Sequence, residues 1–221
     1  MNQSLFETAR KMMVDCQIRP SKVTDKNVLD AFLAVPREAF VSKQQQAIAY
    51  IDEDLPLSNG RNLMEAMVLA RLVQALKICA SDNVLVVGAA SGYGSAIIAH
   101  LAGSVIAIET RAQTVEKAQE ILVAHGIDNA AVVKSRLVDG YANEGPYDQI
   151  LVEGGVEIMP QSLLQQLAPK GRLAAVYRPH DAPIGVASLW TRSGKDFTRK
   201  SLFDASVPNL DEFNKKPEFT F

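Results

Sequence analysis

The stretch Val84-Leu85-Val86-Val87-Gly88-Ala89-Ala90-Ser91-Gly92-Tyr93-Gly94 decides the fold class. A continuous apolar run that is rich in valine and ends in glycine is typical of a buried parallel strand. The small residues after it predict a tight turn into a helix over 92–101, and they let the backbone approach a ligand closely. The stretch therefore predicts the first strand, turn and helix of an α/β sheet with a binding site at its edge.

Alternating strands and helices continue along the chain from that point. Hydrophobic periodicity predicts further strands at 105–109, 130–134, 147–153 and 172–177, with helices at 113–124 and 160–167. Two segments around Ser193-Gly194, at 184–192 and 197–206, are typical of a hairpin. The pattern predicts a doubly wound, mostly parallel α/β sheet with an antiparallel C-terminal hairpin.

The N-terminal part is predicted to be helical. Apolar spacing favours helices over 5–17 and from Leu63 to Leu76, and a helix between them that Thr24 or Asp25 caps and Pro36 ends. We expect one domain with three parts, namely a helical cap over 1–80, a nucleotide-binding core over 81–178, and a hairpin and tail over 179–221.

Composition narrows the classes of function and the location. The net charge of the 221 residues is −2, so the basic face typical of nucleic-acid binding is not expected. The sequence contains no run of about 18 apolar residues, which a membrane span would need, and no signal peptide is expected. Cys16 and Cys79 lack metal-ligand spacing and are predicted to be buried free thiols on helices. We expect a cytoplasmic monomer without a metal site.

Three features at successive strand ends predict a nucleoside site. The glycine-rich turn follows the first strand, and Glu109 ends the second, about 20 residues after Gly88, where a carboxylate can accept from both ribose hydroxyls. Asp139-Gly140 follows the third strand, where the aspartate could accept from an adenine amino group. The predicted cofactor-binding residues are Gly88, Ala90, Ser91, Gly92, Glu109, Asp139 and Gly140.

The turn favours S-adenosylmethionine over NAD as the nucleoside ligand. A dinucleotide turn follows the spacing Gly-x-Gly-x-x-Gly, and here Ala90 stands at the second glycine position. The terminal hairpin also fits methyltransferases better than NAD-dependent oxidoreductases. The oxidoreductase is therefore the less favoured reading.

Several segments together resemble the protein-L-isoaspartate O-methyltransferases. The similarity runs from about residue 10 to 178, and more faintly to Phe213. Its segments include Met13-Val14-Asp15-Cys16-Gln17-Ile18-Arg19, Val35-Pro36-Arg37-Glu38-Ala39-Phe40-Val41, Asp54-Leu55-Pro56-Leu57, Ser91-Gly92-Tyr93, Asp139-Gly140-Tyr141 and Tyr147-Asp148-Gln149-Ile150-Leu151-Val152. The resemblance implies a methyltransferase that uses S-adenosylmethionine, releases S-adenosylhomocysteine, and repairs damaged proteins by methylating L-isoaspartyl carboxylates.

The chain departs from the family pattern at the site. The family's active-site loop Gly-Gln-Thr-Ile-Ser-Gln-Pro is replaced by Gly60-Arg61-Asn62-Leu63-Met64-Glu65-Ala66, so Asn62 and Met64 stand at the catalytic threonine and serine positions. The family has an acidic residue two positions before the first glycine of the turn, and this chain has Val86 there. The family's Thr-Ala-Ala stretch after the fourth strand is replaced by Glu153-Gly154-Gly155. Val86 and Ala90 predict weaker cofactor binding than is usual in the family.

These departures leave alternatives open. Glu65 and Glu153 would repel a carboxylate substrate unless Arg61 screens them or itself binds the substrate's carboxylate in a bidentate pair. Asn62, Met64 and Arg61 are therefore the candidate catalytic positions. A methyltransferase with another acceptor, or a non-catalytic protein that binds S-adenosylmethionine or serves as an interaction module, are the competing hypotheses.

Overall fold

The described residues contain nine strands, and seven of them form a mostly parallel sheet at the centre of the protein. The structure is a computed structural model that describes residues 3–58 and 60–215, so the end of the predicted tail lies outside the described residues. The strands are β1 (Leu55–Pro56), β2 (Asn62–Leu63), β3 (Asn83–Val87), β4 (Ser104–Glu109), β5 (Ala130–Lys134), β6 (Tyr147–Val156), β7 (Leu167–Tyr177), β8 (Gly185–Ser193) and β9 (Asp196–Ala205). The order in the large sheet is β5-β4-β3-β6-β7-β8-β9.

The directions of the strands confirm the predicted fold class. Strands β3 to β7 run parallel to one another, whereas β8 pairs antiparallel with both β7 and β9 at one edge. β1 and β2 form a separate antiparallel pair in the N-terminal part. β3 lies between β4 and β6, so the order reverses beside it. Ligands of open α/β sheets bind at such a switch point, outside the carboxyl ends of the strands.

The α-helices of the described residues pack around the sheet. They are α1 (Gln3–Met13), α2 (Lys26–Ala34), α3 (Ala66–Leu76), α4 (Tyr93–Ala99), α5 (Ala112–Ala124) and α6 (Gln161–Gln165). Asp25 caps α2, because its carboxylate accepts hydrogen bonds from the amides of Asn27 and Val28. This confirms one of the two predicted caps.

Alternate residues of the central strand face two separate apolar layers. Val84 and Val86 pack with the N-terminal helices and with α3, α4 and α5, whereas Leu85 and Val87 pack with α6 on the other face. The N-terminal helices therefore share a core with the sheet. The boundaries of the three predicted parts of the domain stay a prediction.

Strand pairing explains two of the predicted helix boundaries that differ from the structure. The helix predicted from Leu63 begins at Ala66, because Asn62 and Leu63 pair with β1 instead. The helix predicted over 160–167 ends at Gln165, and β7 begins at Leu167, which pairs with Tyr147. In both places strand pairing takes apolar residues whose spacing alone also suits a helix.

The prediction that both cysteines are buried on helices is wrong. Cys16 and Cys79 are free and exposed. Cys16 lies in the π-helical turn Val14–Ile18, whose wider spacing buries Val14 and Ile18 and leaves Cys16 exposed. Cys79 follows the end of α3, where Lys77 is left-handed with φ 51°, so helical spacing no longer applies to it.

Residues 3–58 and 60–215 can be compared with the requirements of a membrane-spanning helix and of a metal site. None of the helices there is both long and apolar enough to cross a bilayer. The same residues contain no group of three or more His, Cys, Asp or Glu side chains placed to hold a metal ion.

Candidate active site

The glycine-rich turn folds back over the end of the neighbouring strand. The amides of Gly88 and Ala89 both donate to the carbonyl of Ile108 at the end of β4, at 3.1 and 3.2 Å. Gly88 and Gly92 have φ of 78° and 92°, which glycine adopts readily. Ala90 also has a positive φ, 52°, which strains a residue with a side chain. The alanine is therefore a poorer fit to this turn than the glycine of the family pattern.

Glu109 lies at the end of β4, directly beside this turn. It is 1% exposed, and its carboxylate accepts hydrogen bonds from the amides of Ala90 and Thr110, both at 3.0 Å. The structure therefore brings together the turn and the glutamate that the sequence predicted as parts of one site. Its proposed ribose contact stays a prediction.

Arg61 occupies both oxygens of that carboxylate. Its Nε donates to Glu109 Oε1 at 3.0 Å and its Nη2 donates to Oε2 at 3.1 Å. The same guanidinium donates to the two oxygens of Glu212, at 3.0 and 2.7 Å. Burial by itself would lower the pKa of Arg61, but the hydrogen bonds to Glu212 and Glu109 outweigh it and raise that pKa. Arg61 thus forms bidentate pairs with two carboxylates of the chain itself, and its predicted pairing with a substrate carboxylate stays a prediction.

The C-terminal segment Val207–Phe213 lies across the carboxyl ends of β3 and β6. The Gly155 amide donates to the Pro208 carbonyl at 2.8 Å, and the Leu210 amide donates to the Gly155 carbonyl at 2.9 Å. The Leu210 side chain packs so close that a Cβ at Gly154 would stand 2.5 Å from its Cγ. The two glycines that depart from the family pattern are therefore the residues that let this segment approach.

The altered loop and Glu153 line a small cavity beneath that segment. Asn62, Met64 and Glu153 contribute to its wall, and its volume is about 60 Å³. Met64 is 2% exposed, so it belongs to the core as well as to the cavity wall. The catalytic roles of Asn62, Met64 and Arg61 stay predictions, although the structure places all three at this cavity.

Arg37, which was not predicted as a site residue, holds the loop from behind. Its side chain is fully buried, and it donates to the carbonyls of Ala49 and Met64, both at 2.8 Å. The Val-Pro-Arg segment in the sequence marked this residue as part of a motif but did not indicate what it contacts. Arg37 therefore fixes the backbone of the loop at Met64.

The Glu153 carboxyl is also buried, but it has fewer hydrogen-bond partners than the Glu109 carboxylate. It is 6% exposed, and its Oε1 has no hydrogen-bond partner among the residues that the structure describes. Burial, together with the charge of Glu109, raises the pKa of Glu153 to about 8, against a smaller opposing effect of Arg37. Its carboxyl lies against Gly94, where a Cβ would clash with it. Glu153 is therefore mostly uncharged at neutral pH.

Asp139 and Ser91 complete the predicted set. Asp139 ends a short 3₁₀ turn after β5, pairs with Arg136 at 3.3 Å, and leaves 55% of its side chain exposed. Gly140 beside it has φ 65°, as the predicted tight loop requires. The Ser91 hydroxyl is buried without a hydrogen-bond partner in the described residues. The contact of Asp139 with adenine stays a prediction.

The cavity under the C-terminal segment does not fit S-adenosylmethionine as it stands. Pockets that bind small molecules and cofactors have volumes of about 300–1,000 Å³. The cavity under the C-terminal segment has a volume of only about 60 Å³. A ribose can donate to Glu109 only where Arg61 does not. The segment and Arg61 both have to move before such a ligand can occupy this cavity and reach Glu109. A separate cavity of about 310 Å³ lies beside Ala90 and Ser91.

The fold, the glycine turn and the strand-end glutamate define a methyltransferase-like α/β protein. A sequence model of the protein-L-isoaspartate(D-aspartate) O-methyltransferase family matches residues 8–182. The chain belongs to this family. It is 36% identical to the protein-L-isoaspartate O-methyltransferase of Methanoculleus marisnigri over 95% of this chain and 94% of that protein. It is 39% identical to protein-L-isoaspartate O-methyltransferase 1 of Rhodopseudomonas palustris over 96% and 83%.

Solved structures show the same fold. A protein-L-isoaspartate O-methyltransferase with 21% identity superposes with a TM-score of 0.81 over 91% of this chain and 65% of that chain. A Plasmodium falciparum protein assigned to the same activity was solved with S-adenosyl-L-homocysteine; it has 19% identity and a TM-score of 0.75 over 94% and 98%. The predicted family and fold are confirmed, and the oxidoreductase reading is not supported.

Proposed function

We propose that this protein transfers a methyl group from S-adenosylmethionine to the carboxylate of an L-isoaspartyl residue in a damaged protein. The observation that carries the proposal is the family match over 8–182 together with relatives of this name at 36–39% identity over nearly the whole chain. The competing acceptor and the non-catalytic reading are not favoured by these relatives.

The chemistry asks little of the protein's side chains. An aspartyl carboxyl has a pKa of about 4, so the acceptor is already ionised at neutral pH and needs no general base. Positioning of the two reactants can then supply most of the acceleration. The loop from Arg61 to Ala66, held by Arg37 at the Met64 carbonyl, is the part of this chain that would position the acceptor.

The protonation of Glu153 bears on the repulsion that the sequence predicts between Glu65, Glu153 and a carboxylate substrate. A charged carboxylate in the cavity wall would repel an isoaspartyl carboxylate, but the raised pKa of about 8 keeps Glu153 mostly protonated at neutral pH. Glu65 is half-buried, and burial with nearby Asp52 and Asp54 raises its pKa to about 7. Both groups therefore repel an anionic acceptor less than two ionised carboxylates would.

The setting of the reaction is part of the proposal. Exposed free thiols at Cys16 and Cys79 are compatible with a reducing compartment, which supports a cytoplasmic location. The net charge of −2 supports a protein substrate rather than nucleic acid as the partner. We expect the protein to act as a monomer.

Methyl transfer to a matched pair of peptides tests the proposal. One peptide contains an L-isoaspartyl residue, and its twin contains a normal aspartyl residue at the same position. Incubation with methyl-labelled S-adenosylmethionine should give a base-labile methyl ester on the first peptide and none on the second. Equal labelling of both peptides, or labelling of neither, would contradict the proposed activity.

A further inference from the structure

Three side chains that are far apart in the sequence meet beside the glycine turn. Arg61 comes from the altered loop, Glu109 from the end of β4, and Glu212 from the C-terminal segment. Their side chains are 11%, 2% and 28% exposed. A cation held between two carboxylates at low exposure forms charge-assisted hydrogen bonds, which are stronger than neutral ones. This triad links the C-terminal segment to the altered loop and to β4 through charged side chains.

We propose that the triad is a latch that closes the cofactor site and that cofactor binding has to open. Arg61 covers the carboxylate of Glu109, and Glu212 ties the C-terminal segment to Arg61. The proposal rests on the proposed function, because it takes an adenosine-containing cofactor as the ligand that opens the latch.

The first support is that both oxygens of Glu109 are taken. Arg61 donates to one at 3.0 Å and to the other at 3.1 Å, and the Ala90 and Thr110 amides donate to the same two oxygens. A ligand hydroxyl that donates to this carboxylate would compete directly with the guanidinium. The hydroxyl can replace the donor but not the positive charge, so displacement of Arg61 has a cost.

The second support is the position of the segment that Glu212 holds. Leu210 lies against Gly88, where a Cβ would stand 3.2 Å from its Cδ1, and it is 6% exposed. The segment also closes the cavity of about 60 Å³ from above. The same movement that releases Glu212 from Arg61 therefore clears the turn.

A closed latch should raise the apparent Kd of the cofactor. A ligand that binds only the open form has an apparent Kd equal to its intrinsic Kd divided by the open fraction. Removal of the charge on Glu212 takes away one arm of the triad and raises that fraction. Arg61→Gln, which restores the residue of the family pattern, removes both arms but leaves Glu109 buried without its cation. Glu212→Gln is therefore the cleaner variant, with Arg61→Gln as the second.

Titration with S-adenosylhomocysteine tests the latch. Glu212→Gln should bind it about tenfold more tightly than the wild type, because a charge-assisted contact that opposes binding is lost. Glu120→Gln, the same change at an exposed position on α5, should bind like the wild type. Where the wild type binds the ligand, equal or weaker binding by Glu212→Gln would overturn the proposal.

Hydrogen exchange keeps the latch testable apart from the methyltransferase assignment. The Leu210 amide, which donates to the Gly155 carbonyl, should exchange faster in Glu212→Gln and in Arg61→Gln than in the wild type and Glu120→Gln. If none of the proteins binds S-adenosylhomocysteine, the proposed function fails, while faster exchange still supports a latch. Unchanged exchange would overturn the latch, and so would faster exchange with unchanged affinity where the ligand binds.

Discussion

The ends of β4 and β6 flank the same central strand, and each carries a buried glutamate in a different chemical state. Glu109 is 1% exposed and has two backbone amides and Arg61 as donors. Glu153 is 6% exposed, and its Oε1 lacks a partner among the described residues. Similar burial thus accompanies an ion-paired carboxylate in one place and a raised pKa of about 8 in the other. The two glutamates differ in their partners, because several donors contact Glu109, whereas burial and the charge of Glu109 act on Glu153.

The difference divides the site into two halves. The β4 half presents a carboxylate that suits hydroxyl donors, and Arg61 pairs with it. The β6 half presents a mostly uncharged acid next to Asn62 and Met64, where an anionic acceptor would not meet a full negative charge. Four substitutions test this division, ordered by their expected effect on the free energy of unfolding.

Glu153→Gln should produce the largest effect, and it should depend on pH. The pKa of Glu153 is about 8 in the folded protein and 4.5 as the ordinary value, so between these the folded state binds a proton that the unfolded state releases. Wild-type stability from this group is therefore lost as the pH rises from about 4.5 to about 8, by roughly 5 kcal/mol at full deprotonation. Glutamine abolishes that loss.

Urea unfolding at about pH 5 and about pH 9 measures this effect. The stability of Glu153→Gln relative to the wild type should rise between the two pH values. Exposed Glu120→Gln serves as the matched control and should follow the wild type at both. If Glu153→Gln follows the wild type too, the two halves of the site do not differ as described.

Glu109→Ala should lower the free energy of unfolding by roughly 3 kcal/mol, because it leaves the Arg61 cation without one of its two carboxylates. The amides of Ala90 and Thr110 also lose their acceptor. Urea unfolding at neutral pH, with Glu120→Ala as the control, measures the loss. A change within about 0.5 kcal/mol would mean that Glu109 is not the structural centre of the β4 half.

Ala90→Gly should raise the free energy of unfolding by about 1 kcal/mol. The φ of 52° strains alanine, and glycine adopts this region freely. The neighbouring change Ala89→Gly removes a buried methyl group at a position without positive φ and should instead be destabilising. Thermal unfolding of the two variants compares them, and a shift of both in the same direction would argue against strain in the turn.

Asp139→Ala should change stability least, by less than about 0.5 kcal/mol, because its ion pair with Arg136 is largely exposed. If Asp139 contacts the adenine, the same variant should nevertheless bind S-adenosylhomocysteine about tenfold more weakly. Parallel unfolding and titration experiments separate the two effects. Unchanged affinity would remove Asp139 from the predicted site.

The sheet and the positions of the site residues could be predicted from the sequence, since strands, turns and strand-end residues depend on local pattern. Glu109 beside the Gly88 turn is such a case. The partner of Arg61 could not be predicted, because Glu212 lies 151 positions away and no local pattern links the two. Likewise, Gly154 and Gly155 read as a departure from the family, and only the packing of Leu210 and Asn209 against them gives a reason.

The proposed chemistry of the site depends most on Glu153 being uncharged at neutral pH. Carbon-13 NMR of protein labelled at the glutamate side-chain carboxyls, compared with labelled Glu153→Gln, identifies its resonance and follows it with pH. A titration midpoint near pH 8 is the result predicted here, from burial and the neighbouring Glu109. A midpoint near the ordinary value of 4.5 would contradict it, and an anionic acceptor would then face a charged Glu153 at the cavity wall.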